Sequence, residues 1–180
     1  MTFSRVGRWV VVLSCLVVAG ASAPTIDYRL PTTDDRLFAF GEADAQQGFV
    51  RVPPEQVQWK DEPDGLGVQR AVIEGDPTKP GLYVIRIKFP PGVMSTNHYH
   101  REDRHAVVVK GTWYTGIGDE FRPDRTVPLK AGSYMKHPAG GHHFDGAKDE
   151  EVIVQIVGIG PTSTTRIRSG DGAFARSVTK

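Results

Sequence analysis

The sequence predicts an all-β domain. Short runs rich in β-branched and aromatic residues recur along the chain, and 20 Gly and 13 Pro break it too often for long helices. The spacing between runs is that of an antiparallel sandwich or barrel rather than of strand–helix–strand units. At 180 residues the chain has the length of one globular domain. Its 22 Lys+Arg and 21 Asp+Glu give a net charge of +1 with no basic cluster, which argues against nucleic acid as the main partner and against a charged disordered tail.

Residues 1–23 have the order of a secretory signal peptide. Arg5 and Arg8 precede an apolar run over 9–18, and small residues fill 19–23. A membrane span needs roughly 20 apolar residues, so no stable membrane insertion is expected after cleavage. Two cleavage points fit, after Ala21 or after Ala23, and the second would leave Pro24 at the new terminus. The expected location is periplasmic or secreted. Cleavage removes Arg5, Arg8 and Cys15, leaving 20 cations against 21 anions and no thiol. The mature chain would then have no disulfide, cysteine nucleophile or thiolate ligand.

Residues 24–47 read as an N-terminal arm whose one apolar cluster is Leu37-Phe38-Ala39-Phe40, and the barrel is expected over 48–168. Phe49 to Val52 and Val57 to Trp59 read as short strands, followed by Val68 to Glu74. Leu82 to Phe89 is the clearest half-buried strand, because alternation puts Tyr83, Ile85, Ile87 and Phe89 on one face and Arg86 and Lys88 on the other. Further strands are expected over 97–100, 106–110, 112–117, 126–129, 134–137, at Phe144, and over 151–157 and 164–168. Residues 169–180 read as a polar tail that frays.

Histidine is concentrated in two places. In the first, strand alternation puts His98 and His100 on one face, about 7 Å apart, where two imidazoles can converge on one ion. In the second, Pro138-Ala139-Gly140-Gly141-His142-His143 delivers further imidazoles at a turn that His137 precedes. These residues fit a metal site, and they also fit exposed loops whose histidines titrate near neutral pH. There is no Gly-x-Ser-x-Gly elbow, phosphate loop or dinucleotide fingerprint, and the paired acids at 34–35, 61–62 and 149–151 read as solvated surface.

The spacing Gly92-x5-His98-x-His100-x3-Arg104-x6-Gly111, followed by Gly132-x5-Pro138-x-Gly140-x2-His143, resembles the two motifs of the cupin superfamily. The likeness extends over about 57–160 to small single-domain bacterial cupins. It implies a double-stranded β-helix, or jelly-roll barrel, holding a divalent metal through His98, His100 and His143. In cupins Arg104 is usually a glutamate ligand and Ala147 usually an asparagine, so the fourth ligand position is open, with Arg104, His105, Glu102 and Asp103 as candidates. Arg104 can point inwards and clamp a substrate carboxylate or phosphate, weaken metal binding by its charge, or turn outwards to pair with Glu102 or Asp103. Three histidines suit Fe, Mn, Ni, Cu or Zn.

The resemblance implies a small-molecule metalloenzyme of dioxygenase, decarboxylase or isomerase type. In that reading Arg104, His105 and His142 are substrate-binding candidates, and His105, His142 or Tyr114 would transfer protons. The alternative is a secreted, non-catalytic module that captures a small ligand with or without metal, its pocket drawn from Trp113, Tyr134, Met135 and Phe144. A homodimer is expected from the resemblance alone.

Overall fold

The computed structural model describes residues 48–63, 65–168 and 170–177, so the expected signal peptide and arm, 1–23 and 24–47, lie outside the described residues. Alternation is the rule that builds the domain. In β3 (Gly81–Phe89) the residues expected inside, Tyr83, Ile85, Ile87 and Phe89, are buried, and Arg86 and Lys88 face outwards. Its partner β11 (Val152–Gly160) buries Val152, Val154 and Ile156 in the same way, and the two strands pair over nine residues from Phe89↔Val152 to Gly81↔Gly160.

β1 (Lys60–Asp61) and β2 (Gln69–Glu74) flank β3, while β6 (Arg104–Lys110) and β9 (Tyr134–His137) follow β11, giving one sheet in the order β1-β2-β3-β11-β6-β9. The second sheet contains β4 (Val93–Ser95), β5 (His98–His100), β10 (His143–Gly146), β12 (Thr164–Arg166) and β13 (Phe174–Arg176) in the order β12-β5-β10-β4-β13. β7 (Thr112–Ile117) pairs with β10, and β8 (Val127–Lys130) pairs with β7. Every pairing is antiparallel. Among the described residues no helix is long and apolar enough to cross a membrane.

Most expected strands are present, within one to three residues at their ends. Phe49 to Val52 forms none, because Phe49 and Val50 stay exposed with no strand beside them. In place of a strand over 57–59, Lys60 and Asp61 pair with Arg70 and Gln69. Two strands were not expected. β4 is only three residues long, and β13 lies in the segment read as a polar tail, where Phe174 stacks edge-on against Phe89 at 6.4 Å.

The core between the sheets joins Tyr83, Ile85, Phe89, Val108, Trp113, Val152 and Val154 with their neighbours. β10 is buried on both faces, so His143 and Asp145 point into the barrel while Phe144 packs on the other side under Phe121, with ring centroids 5.4 Å apart. Phe144 lies opposite Gly116 on β7, where a Cβ would stand 2.1 Å from its ring. The missing side chain therefore seats the ring and presses β10 into place. Gly116→Ala is expected to cost about 1–3 kcal/mol through overpacking, read as a lower denaturation midpoint at unchanged slope.

Candidate functional site

The barrel's polar interior is assembled by strand register. His98 on β5 lies directly opposite His143 on β10, and His100, two residues along, shares the inward face. From the other sheet, Arg104 on β6 lies opposite His137 on β9, and both are buried. These side chains enclose a chamber of about 250 Å³ lined by His98, His100, Arg104, Trp113, His137 and Asp145. His143 is buried beside it.

Each of the three motif histidines is anchored through the same ring nitrogen. Nδ1 of His98 donates to the Thr96 carbonyl at 2.7 Å, Nδ1 of His100 to the Ser163 carbonyl at 3.1 Å, and Nδ1 of His143 to the Gly141 carbonyl at 2.8 Å. A carbonyl only accepts, so Nδ1 carries the proton and Nε2 keeps a lone pair. The rings lie 4.3–5.1 Å apart and are inclined at 56–68°, fanned around a common point rather than stacked. One ligand atom from each of His98, His100 and His143 lies within 4.8 Å of the others. Fixing Nδ1 in this way is how outer hydrogen bonds orient an imidazole for metal binding.

Electrostatics keep His98, His100 and His137 uncharged. Burial pulls the His98 imidazole well below 6.5, helped by His143. Burial, then the Arg104 charge and the neighbouring rings, brings His100 to about 2. Burial, then His143, His100 and Arg104, brings His137 to about 2 as well. Asp145 is pushed in the opposite sense, because burial raises its carboxyl above 3.8 against the pull of His143 and of hydrogen bonds from Trp113 and Ser95.

Arg104 faces inwards and is paired at once. Its Nε donates to Glu102 Oε1 at 3.1 Å and its Nη2 donates to Thr162, whose hydroxyl donates to the same carboxylate oxygen. The Tyr83 hydroxyl also donates to that oxygen, at 3.2 Å, across Gly158, where a Cβ would stand 2.5 Å from the phenol oxygen. Burial pushes the Glu102 carboxyl up, and the hydrogen bonds from Thr162 and Arg104 more than reverse it.

The other fourth-ligand candidates, Asp103 and His105, and the substrate-binding candidate His142 are engaged elsewhere. Asp103 pairs with Lys136 at 2.6 Å and accepts from the Ala139 amide at 2.8 Å. His105 is exposed on the outer face of β6, its Nδ1 2.7 Å from the Tyr134 hydroxyl. His142 stacks on Tyr99 at 5.2 Å, with its Nδ1 2.5 Å from Asp119 Oδ1. Neither His105 nor His142 lines the chamber. Tyr134 is exposed and Phe144 packs outside the barrel, so of the aromatic pocket candidates only Trp113 lines it.

The polar lining residues that sequence did not single out as site residues are Glu62, Arg70, Ser95, His137, Asp145, Thr164 and Arg166. His137 ends β9, and strand alternation with Met135 was the available signal that it faces inwards. Asp145 stands two residues after His143 on β10 and so shares its face, a placement hidden while only Phe144 was read as strand.

Residues 47–163 match the family model described as ChrR cupin-like domain. No curated protein matches the chain. Among solved structures, the polyketide cyclase RemF from Streptomyces resistomycificus superposes with a TM-score of 0.57 at 15% identity, covering 68% of this chain and 88% of that one. An RmlC-like cupin protein from Ralstonia eutropha JMP134 gives a TM-score of 0.53 at 16% identity, covering 71% and 78%. KdgF from Halomonas sp. gives 0.47 at 20% identity, covering 60% and 91%. At these identities the likeness to the first two speaks for the fold, a cupin jelly roll.

Two predictions follow from the buried charges. His98, His100 and His137 stay neutral in the folded chain but protonate near 6.5 once it unfolds. The unfolded state therefore binds more protons below that pH, and stability present above about pH 6.5 is lost as pH falls. Each such histidine contributes up to about 1.4 kcal/mol per pH unit, and Asp145 works in the opposite sense. The melting temperature of chelator-treated protein should fall steadily from pH 7.5 to 5.5. Arg104→Met, which leaves the Glu102 carboxylate without its cation, should destabilise by about 1–3 kcal/mol, and adding Glu102→Gln should restore part of the loss in denaturant titration.

Proposed function

For a chain that belongs to the ChrR cupin-like domain family, we propose a divalent-metal-dependent cupin that acts on a small organic acid or aromatic compound. The observation that carries the reading is the set of three buried imidazoles, His98, His100 and His143, each tied at Nδ1 to a backbone carbonyl so that Nε2 is left as a lone-pair donor. The buried Nε2 of His143 has no hydrogen-bond partner, which an ion would supply. A metal held there would polarise a carbonyl or activate water or dioxygen, in keeping with dioxygenase, decarboxylase or isomerase chemistry. Fe, Mn, Ni, Cu and Zn all suit the nitrogen donors.

The chain's own residues define the substrate class. A chamber of about 250 Å³ suits a small molecule, and Ile87, Phe89, Trp113 and Val154 supply apolar wall. Arg70, Arg104 and Arg166 also line it, against the carboxylates of Glu62 and Asp145. Arg70 is paired with Glu62 at 2.5 Å and Arg104 with Glu102, whereas Arg166 makes only a long bond to Thr96 Oγ1 at 3.4 Å among side-chain contacts. Arg166, the least engaged of the three, favours an anionic group on the substrate. Export through the segment at 1–23 belongs to the same proposal.

The second reading is a ligand-capturing module without turnover. It is favoured by the cation Arg104 where cupins usually carry a carboxylate ligand. Elemental analysis of protein purified without an affinity tag separates the two. Near one metal per chain, lost in His143→Ala, is expected. Absence of metal together with no uptake on titration would overturn the metalloenzyme reading.

A further inference from the structure

Resting on the metal reading above, we propose that His137, His143 and Asp145 form a second, inner position for a divalent metal ion. It shares the Nε2 of His143 with the three-imidazole set, so the chain holds one ion in either of two adjacent positions.

The first observation is His137 itself. It is 3% exposed, and neither of its ring nitrogens has a hydrogen-bond partner. A buried imidazole without a hydrogen-bond partner calls for one, and an ion would engage its lone-pair nitrogen. Its neighbours in the barrel, Trp113 at 5.5 Å, His100 at 6.3 Å and His143 at 3.9 Å between ring centroids, approach it as rings.

The second observation is Asp145. It is 6% exposed, its Oδ1 accepts from Trp113 Nε1 at 3.3 Å, and its Oδ2 stands 3.7 Å from His143 Nε2, beyond a hydrogen bond. Its backbone is held by the Ser95 hydroxyl, which accepts from the Asp145 amide at 3.1 Å, and by pairing with Thr115. The carboxylate is thus fixed in place beside the lone pair of His143.

One donor atom from each of His137, His143 and Asp145 lies within 4.8 Å of the others. Two ligands bound at about 2.1 Å stand no more than about 4.2 Å apart, so the set closes on an ion when the His137 ring, stacked on His143, turns its lone pair towards it. His137 is the group that moves. Its ring is stacked on His143 at an interplanar angle of 25°, and no hydrogen bond holds it.

The two sets differ in chemistry. Arg104 stands near both sets, opposite His137 and close to His100, so the difference lies in the donors, and the outer set offers three neutral imidazoles. The inner set offers two imidazoles and a carboxylate, a harder combination that suits Mn(II) and Fe(II) and restores the carboxylate absent from position 104. His143 Nδ1–H is committed to the Gly141 carbonyl, so only one of its nitrogens can bind an ion.

The test is titration with Co²⁺ alone, followed by visible absorption and calorimetric stoichiometry, with circular dichroism melting to confirm folding. The variant His98→Ala/His100→Ala loses two outer ligands and should still bind close to one Co²⁺ per chain. Adding Asp145→Asn or His137→Phe to it should weaken that binding at least about tenfold. Loss of binding in a folded double variant would overturn the inner position and leave the three-imidazole reading standing. Binding indifferent to both additions would also overturn it. No uptake by the wild-type chain would overturn both readings. Should the double variant fail to fold, Asp145→Asn alone should weaken Mn²⁺ binding with the outer imidazoles intact, and an unchanged Mn²⁺ affinity would overturn the proposal.

Discussion

One backbone register, His98 opposite His143 where β5 meets β10, governs the interior of this barrel. Side chains alternate with a period of two, so that pairing also commits His100 and Asp145 to the inside. A slip of β10 by one residue would send His143 and Asp145 outwards and bring His142 and Phe144 in. The register is defended from the far side of β10, where Phe144 is clamped between the bare backbone of Gly116 and the ring of Phe121. Packing outside the barrel thereby positions the polar groups inside it.

The second constraint is charge. Neutral imidazoles are inexpensive to bury only when their nitrogens are matched, and three of the four inward rings meet that demand at Nδ1 with backbone carbonyls. A guanidinium at the position of Arg104 is tolerable there because Glu102, Thr162 and Tyr83 gather at its side. That network takes the place of a ligand carboxylate with a fixed cation in the wall. Arg70 and Arg166 line the same chamber, with Glu62 and Asp145 as its carboxylates.

Much of this was legible in the chain. The long strands β3 and β11 were written in strict alternation, and the His-x-His pair announced a shared face before any partner was known. The short strands were not legible. β4 and β13 span three residues each, too few for a period to show, and their pairing with each other depends on sequence separated by about 80 positions. His137 and Asp145 escaped notice for a related reason. Each lies on a four-residue strand whose facing follows from its neighbour rather than from its own pattern.

Local pattern was therefore sufficient for fold class and for most strand positions, because alternation and turn residues act over a few positions, whereas the set His98, His100 and His143 came from the resemblance to the two motifs. Orientation of the remaining polar groups was settled only by long-range pairing. Arg104 turns inwards because β6 is sandwiched between β11 and β9, and His105 turns outwards by the same alternation. His137 and Asp145 come within reach of His143 because the two sheets close over one chamber, a proximity of residues on different strands that no stretch of sequence contains.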